Sequence, residues 1–187
     1  MCGAARCRAA GRRLEQHRTS ATGHRVRKTY QEQLRPTPAQ ERELAVVLWR
    51  CRTLDNVALA QRITWWRRGQ GRSATHFQQE AELQDLRAAF PEYAALHSHV
   101  RQDVLARLDT TYHAFFRRLA NGEKAGFPRF QGRDRYPSFT YQEYGNGVRL
   151  DKGTLVLSKM GRIAVHWSRP LAGTPKTGTI SKEADGW

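Results

Sequence analysis

A chain of 187 residues with 32 Lys and Arg against 17 Asp and Glu carries a formal net charge of +15, with a sequence pI of about 10.7. Such a chain can bury one good core and a second small one, and its charge points to a polyanionic partner, nucleic acid first. Three scattered cysteines without a CxxC pair argue against a disulfide framework or a zinc ribbon and place the chain in a reducing cytoplasm. No run of 18 apolar residues is present, so no membrane partner is expected.

Residues 1–25 hold Arg6, Arg8, Arg12, Arg13, Arg18 and Arg25 against the single acid Glu15, and lack the apolar middle of a secretory leader. They read as a disordered basic tail, either an extension without fixed structure or an arm that tracks phosphates. Residues 26–36 then supply a first strand, because Lys28-Thr29-Tyr30-Gln31-Glu32-Gln33-Leu34 has β-branched and aromatic character and runs into Pro36.

Residues 37–121 read as helical. Thr37-Pro38-Ala39-Gln40 has the form of a capping box with proline in the first turn. Leu44, Val47 and Leu48 mark one helix and Leu54, Val57, Ala58 and Ile63 a second, or one helix continuous through Cys51. Gly69 and Gly71 end this stretch, and Phe77, Leu83, Leu86 and Phe90 support a third helix before Pro91. From Ser98, apolar residues recur at Val100, Val104, Leu108, Tyr112, Phe115, Phe116 and Leu119, a single stripe backed by Arg101, Arg107, Arg117 and Arg118. Asn121-Gly122 is the expected stop. Trp49, Trp65 and Trp66 read as core at helical spacing, with base stacking as the alternative.

Residues 122–181 change to short alternating runs. These are Ser138 to Tyr141, Val148 to Leu150, Thr154 to Leu157, Ile163 to Trp167 and Thr177 to Ile180, with turns at Gly145-Asn146-Gly147, Asp151-Lys152-Gly153 and Gly161. Such spacing predicts a small barrel or curled sheet, which the strand near Tyr30 can complete. The fold class is therefore α+β, with a sheet interrupted by three to four helices, and residues 182–187 form a tail.

For phosphate contacts the candidates are Lys124, Arg129, Arg133 and Arg135 around the Gly126-Phe127-Pro128-Arg129-Phe130 turn, with Arg117 on the preceding helix. Alternatively Phe127 and Phe130 anchor the turn while its basic residues are solvated, and the two readings are compatible. No Ser-His-Asp or Cys-His arrangement is recognisable, and Gly69-Gln70-Gly71-Arg72 follows a helix rather than a strand, so it is no phosphate loop. No motif asks for a metal or an organic cofactor.

Five motifs run in order: Leu34-Arg35-Pro36-Thr37-Pro38-Ala39-Gln40; Tyr112-His113-Ala114-Phe115-Phe116-Arg117-Arg118-Leu119; Gly122-Glu123-Lys124-Ala125-Gly126-Phe127-Pro128-Arg129-Phe130; Ser138-Phe139-Thr140-Tyr141; and Lys159-Met160-Gly161-Arg162-Ile163. In that order they resemble the TnpB (OrfB-type) proteins of bacterial insertion sequences, relatives of the type V CRISPR effectors. The resemblance implies a wedge-type β-barrel interrupted by a helical recognition insertion, gripping target DNA and a guide RNA from the element end. A transposase partner or a second copy is a further implied partner.

By the same similarity the motif flanking the target is read in a crevice between recognition helices and barrel, where Gln102, Thr140 and Tyr141 match its readers and His76 is a further candidate; Gln suits adenine and the Thr methyl suits thymine. In that family a RuvC-like nuclease follows. After Ser181 this sequence has only Glu183 and Asp185, too few carboxylates to hold two metals, so truncation before the nuclease is expected and the chain is not expected to cut DNA. Two other readings stand beside this one: a free-standing regulator using Thr37 to Gly69 as a helix-turn-helix dimer, and an inactive transposase remnant.

Overall fold

The structure, a computed structural model, describes residues 14–16, 26–69, 73–184 and 186–187. Three short strands come first: β1 (Leu14–Gln16), β2 (Val26–Lys28) and β3 (Gln33–Arg35). Five helices follow: α1 (Pro38–Arg68), α2 (His76–Ala81), α3 (Leu83–Ala89), α4 (Pro91–Ala94) and α5 (Ser98–Ala120). The chain then returns to strands with β4 (Ser138–Tyr141), β5 (Val148–Asp151), β6 (Thr154–Leu157), β7 (Gly161–His166) and β8 (Gly178–Ser181). The fold is α+β. It divides into a strand unit, residues 1–46 and 137–187, and a helical unit, residues 47–136.

In the strand unit, β3, β7, β6 and β5 form an antiparallel sheet in that order, β4 pairs with β8, and β1 pairs with β2. Among the described residues no ladder joins these three sets, so the expected barrel is not closed. Two of the sets approach closely at Gly178, where an added Cβ would lie 3.1 Å from Val148 Cγ2. The ladders pack there through side chains instead of continuing a hydrogen-bonded sheet.

Alternation along the strands builds the core. Leu34, Phe139, Tyr141, Val148, Leu155, Leu157, Ile163 and Ile180 are all buried, with Leu34 opposite Val165 and Phe139 opposite Ile180. The β5 to β6 connection is the expected turn, with Lys152 and Gly153 both at positive φ (46° and 81°), as a two-residue hairpin requires.

Two boundary expectations are corrected here. Leu14–Gln16, inside the segment read as a disordered tail, pairs antiparallel with Val26–Lys28; the remainder of 1–25 lies outside the described residues. The closing residues are not a solvated tail either. Trp187 is 2 % exposed and its carbonyl accepts a hydrogen bond from the Leu34 N–H at 3.2 Å.

The strand expected around Tyr30 is split into β2, ending at Lys28, and β3, beginning at Gln33, and between them Tyr30 and Glu32 hold the segment after β7. Glu32 Oε2 accepts from the Ser168 N–H at 2.7 Å, and the Tyr30 hydroxyl oxygen accepts from the Ala172 N–H at 3.2 Å. At the start of α1 the predicted capping box forms: Gln40 N–H donates to Thr37 Oγ1 and Thr37 N–H to Gln40 Oε1.

In the helical unit α1 continues through Cys51 as one helix. Its buried face runs Leu48, Cys51, Leu54, Asp55, Ala58, Leu59 and Arg62, threes and fours apart, and that of α5 runs Val100, Arg101, Val104, Leu105, Leu108 and Tyr112. The helix expected from Phe77 to Phe90 is two, divided at Glu82, which closes α2 and opens α3. Thr75 and Gln78 supply a second capping box.

Arg101 is not on the surface as expected. Its Nη1 donates to the carbonyls of Tyr93 and Leu96 at the end of α4. The stop of α5 is as predicted: Gly122 has φ +70°, its N–H bonds Leu119 O and the Glu123 N–H bonds Arg118 O, the Schellman pattern.

Candidate nucleic-acid interface

Both long helices carry buried stripes that end in exposed aromatics. On α1, Trp65 and Trp66 lie beyond Arg62 and are solvent-facing, as is Trp49; the expectation that these tryptophans are core is overturned. On α5 the stripe is buried through Tyr112, whereas Phe116 and Leu119 are exposed. Phe77 on α2, 78 % exposed, and Phe127 and Phe130 in the segment after α5 add to the same set.

Of these, Trp66, Phe77, Phe116, Leu119, Phe127 and Phe130 line one groove of about 1070 Å³ within the helical unit, and Trp49 and Trp65 lie outside its lining. Its wall is a ring cluster in which Phe127 stands edge-on to Tyr112 (5.8 Å between centroids) and to Phe115 (5.4 Å), with Phe116 5.2 Å from Phe115.

Arg62 connects the two helices beside this wall. Its Nε donates to Gln79 Oε1 at 2.8 Å, its Nη1 lies 3.0 Å from Asp109 Oδ1, and its guanidinium sits 5.0 Å from the Tyr112 ring centroid. Burial pushes the Tyr112 hydroxyl above its ordinary pKa, with Arg62 opposing, so the ring stays neutral. The segment carrying Phe127 to Phe130 is fixed by Asn56, whose side chain donates to Gln131 O at 3.1 Å and accepts from the Gln131 N–H at 2.7 Å.

The sequence candidates are distributed as follows. Arg117, Lys124, Arg129, Arg133 and Arg135 are all exposed in the helical unit, and of these Arg129 lines the groove. His76 lines it too, its Nε2 3.4 Å from Glu80 Oε1 and its ring 5.7 Å from that of Phe77. Gln102 is half-buried on α5 and lies outside the groove lining. Thr140 and Tyr141 belong to the strand unit. Thr140 Oγ1 is 2.9 Å from Thr179 Oγ1 across the β4 and β8 ladder, and Tyr141 is 2 % exposed with its ring 6.0 Å from Phe139. Tyr141 therefore packs in the core, contrary to a place among base-reading side chains, because strand alternation puts it on the same face as Phe139.

Residues 26–71 match the helix-turn-helix domain family HTH_OrfB_IS605. This region is thus similar to the N-terminal helix-turn-helix region of IS605/OrfB-type transposases. The OrfB-type match takes in β2, β3 and α1, and in this chain its helical part is a single unbroken helix that reaches Arg62, Trp66 and Arg67 of the groove. No curated protein matches the chain.

Sequence reasoning missed Arg62, Arg67 and Phe77 as groove residues. For Arg62 a signal existed: it falls three and four residues after Leu59 and Ala58 on the buried stripe, where an arginine must find acceptors.

Away from the groove, a buried electrostatic cluster lies between the helices. Burial raises the Cys51 thiol to about 12 and the Asp55 carboxyl to about 6, with Arg107 opposing in both cases, and raises the Tyr136 hydroxyl. Arg107 Nε lies 2.6 Å from Asp103 Oδ2. A thiol held protonated in this way is structural, not nucleophilic. Among the described residues no helix is long and apolar enough to cross a membrane.

Proposed function

We propose that this chain is a nucleic-acid-binding module of a TnpB-like, OrfB-type element protein, engaging target DNA and a guide RNA transcribed from the element end. Its part is binding rather than strand cleavage. The observation that carries this reading is the helix-turn-helix match across β2, β3 and α1. The net charge of +15 and the exposed arginines Arg117, Arg129, Arg133 and Arg135 support it, since neutralised phosphates release counterions and favour association. Helical recognition elements lying in sequence between β3 and the strand that pairs with it, β7, fit the wedge and recognition layout of that family.

The test is fluorescence anisotropy of the purified chain with labelled element-end RNA, target duplex DNA and scrambled controls across a salt series. Element-end RNA should bind more tightly than scrambled RNA. The slope of log K against log salt should steepen by about 0.7 per phosphate contacted on single strands and about 0.9 on duplex. No retention of either nucleic acid at low salt, or an affinity indifferent to salt, refutes the reading.

A further inference from the structure

The groove of the helical unit has features that phosphate attraction alone does not explain. Trp66, Phe77, Phe116, Phe127 and Phe130 expose apolar ring faces to water in one contiguous lining, an arrangement that marks a binding surface. Two polar atoms of that lining are also left over. Arg62 is 4 % exposed, yet its Nη2 has no hydrogen-bond partner among the described residues, and neither has Nδ1 of His76.

The charges of the lining are one-sided: Arg62, Arg67 and Arg129, with His76 and His113, face the single carboxylate Asp109. That carboxylate is already engaged, 3.0 Å from Arg62 Nη1 and 3.1 Å from His113 Nε2.

We propose that this groove binds a short run of unpaired nucleotides, their bases lying on the exposed rings and their phosphates meeting the exposed guanidinium groups of Arg67 and Arg129. Paired bases present only edges to a protein, so flat ring faces are of use to single strands. The arginine rim calls for an anion, and it disfavours a second copy of a chain that itself carries +15. The inference rests on the nucleic-acid reading above and adds to it the strand state of the ligand and the site that holds it.

The experiment uses the full chain, a labelled oligothymidylate and the same strand annealed to its complement. Variants are Phe77→Ala and Phe130→Ala, both at exposed positions, with thermal melting to establish that each folds. Each variant should weaken binding of the single strand at least about fivefold and leave duplex binding unchanged. Arg129→Gln should lower the salt slope on single strands by about 0.7.

Single-strand affinity unchanged in both folded aromatic variants overturns the proposal while leaving the wider reading intact. Failure of the parent chain to bind either probe ends both. Mass growth with concentration in light scattering, abolished by Phe77→Ala, would assign the groove to self-association and likewise overturn it.

Discussion

The two units of this molecule treat their phenylalanine and tryptophan rings differently. In the strand unit Phe139, Tyr141 and Trp187 are buried, each no more than 2 % exposed, while in the helical unit Trp66, Phe77, Phe116, Phe127 and Phe130 stand in water. Ring burial is worth a large share of any small domain's stability. A unit that leaves five such rings exposed is held together by something else, here the Leu and Val stripes of α1 and α5 and the buried arginines Arg62 and Arg101. The strand unit uses its aromatics for stability. The helical unit buries Tyr93, Tyr112 and Tyr136 and leaves its phenylalanine and tryptophan rings largely to the surface.

The comparison breaks most readily by truncating one ring in each unit. Phe139→Ala should cost about 3–5 kcal/mol in chemical denaturation, whereas Phe77→Ala should stay within about 0.5 kcal/mol. Equal losses would show that Phe77 is as much a core residue as Phe139.

A second contrast lies in pH. Asp55, buried on α1, has its carboxyl raised from 3.8 to about 6, so the folded state prefers it protonated. Its contribution to stability is full below about pH 4 and is lost as pH rises through about 6, an effect of order a few kcal/mol. Melting curves of the parent against Asp55→Asn between pH 4 and 7 should diverge, the variant gaining on the parent toward neutrality. Parallel curves would remove Asp55 as a source of strain in the helical unit.

Asn56→Ala tests how firmly the groove wall is held. It leaves the backbone groups of Gln131 without their partners and should cost about 1–3 kcal/mol, with faster amide exchange from 123 to 131 and none of that change in β5 to β7. The smallest effect is expected from Thr37→Ala, about 1 kcal/mol for loss of the α1 cap, measurable by thermal melting.

Much of this architecture is legible in the sequence because its signals are local. Thr37 with Gln40, Gly122, and Lys152-Gly153 each set a backbone state within a few residues, and the structure has all three as expected. What escaped depends on distant partners. Trp66, Phe116 and Phe130 carry the same hydrophobicity as core residues, and periodicity could not tell a stripe that is covered from one that runs past its cover. Arg101 reads as a surface charge until the carbonyls of Tyr93 and Leu96 are seen beside it. Barrel closure escaped for the same reason: strand count and spacing are local, whereas which strands pair is not.

Of the site candidates read from the sequence, Arg129 and His76 line the same groove, and Tyr141 is buried in the strand unit.

The double hydrogen bond between Asn56 and Gln131 has one further consequence. With the Schellman turn at Gly122 on one side and this clamp on the other, the segment bearing Phe127, Arg129 and Phe130 is tied at both ends before any partner arrives. Its ordering entropy is lost during folding, so a ligand of the proposed groove would not bear that cost on encounter.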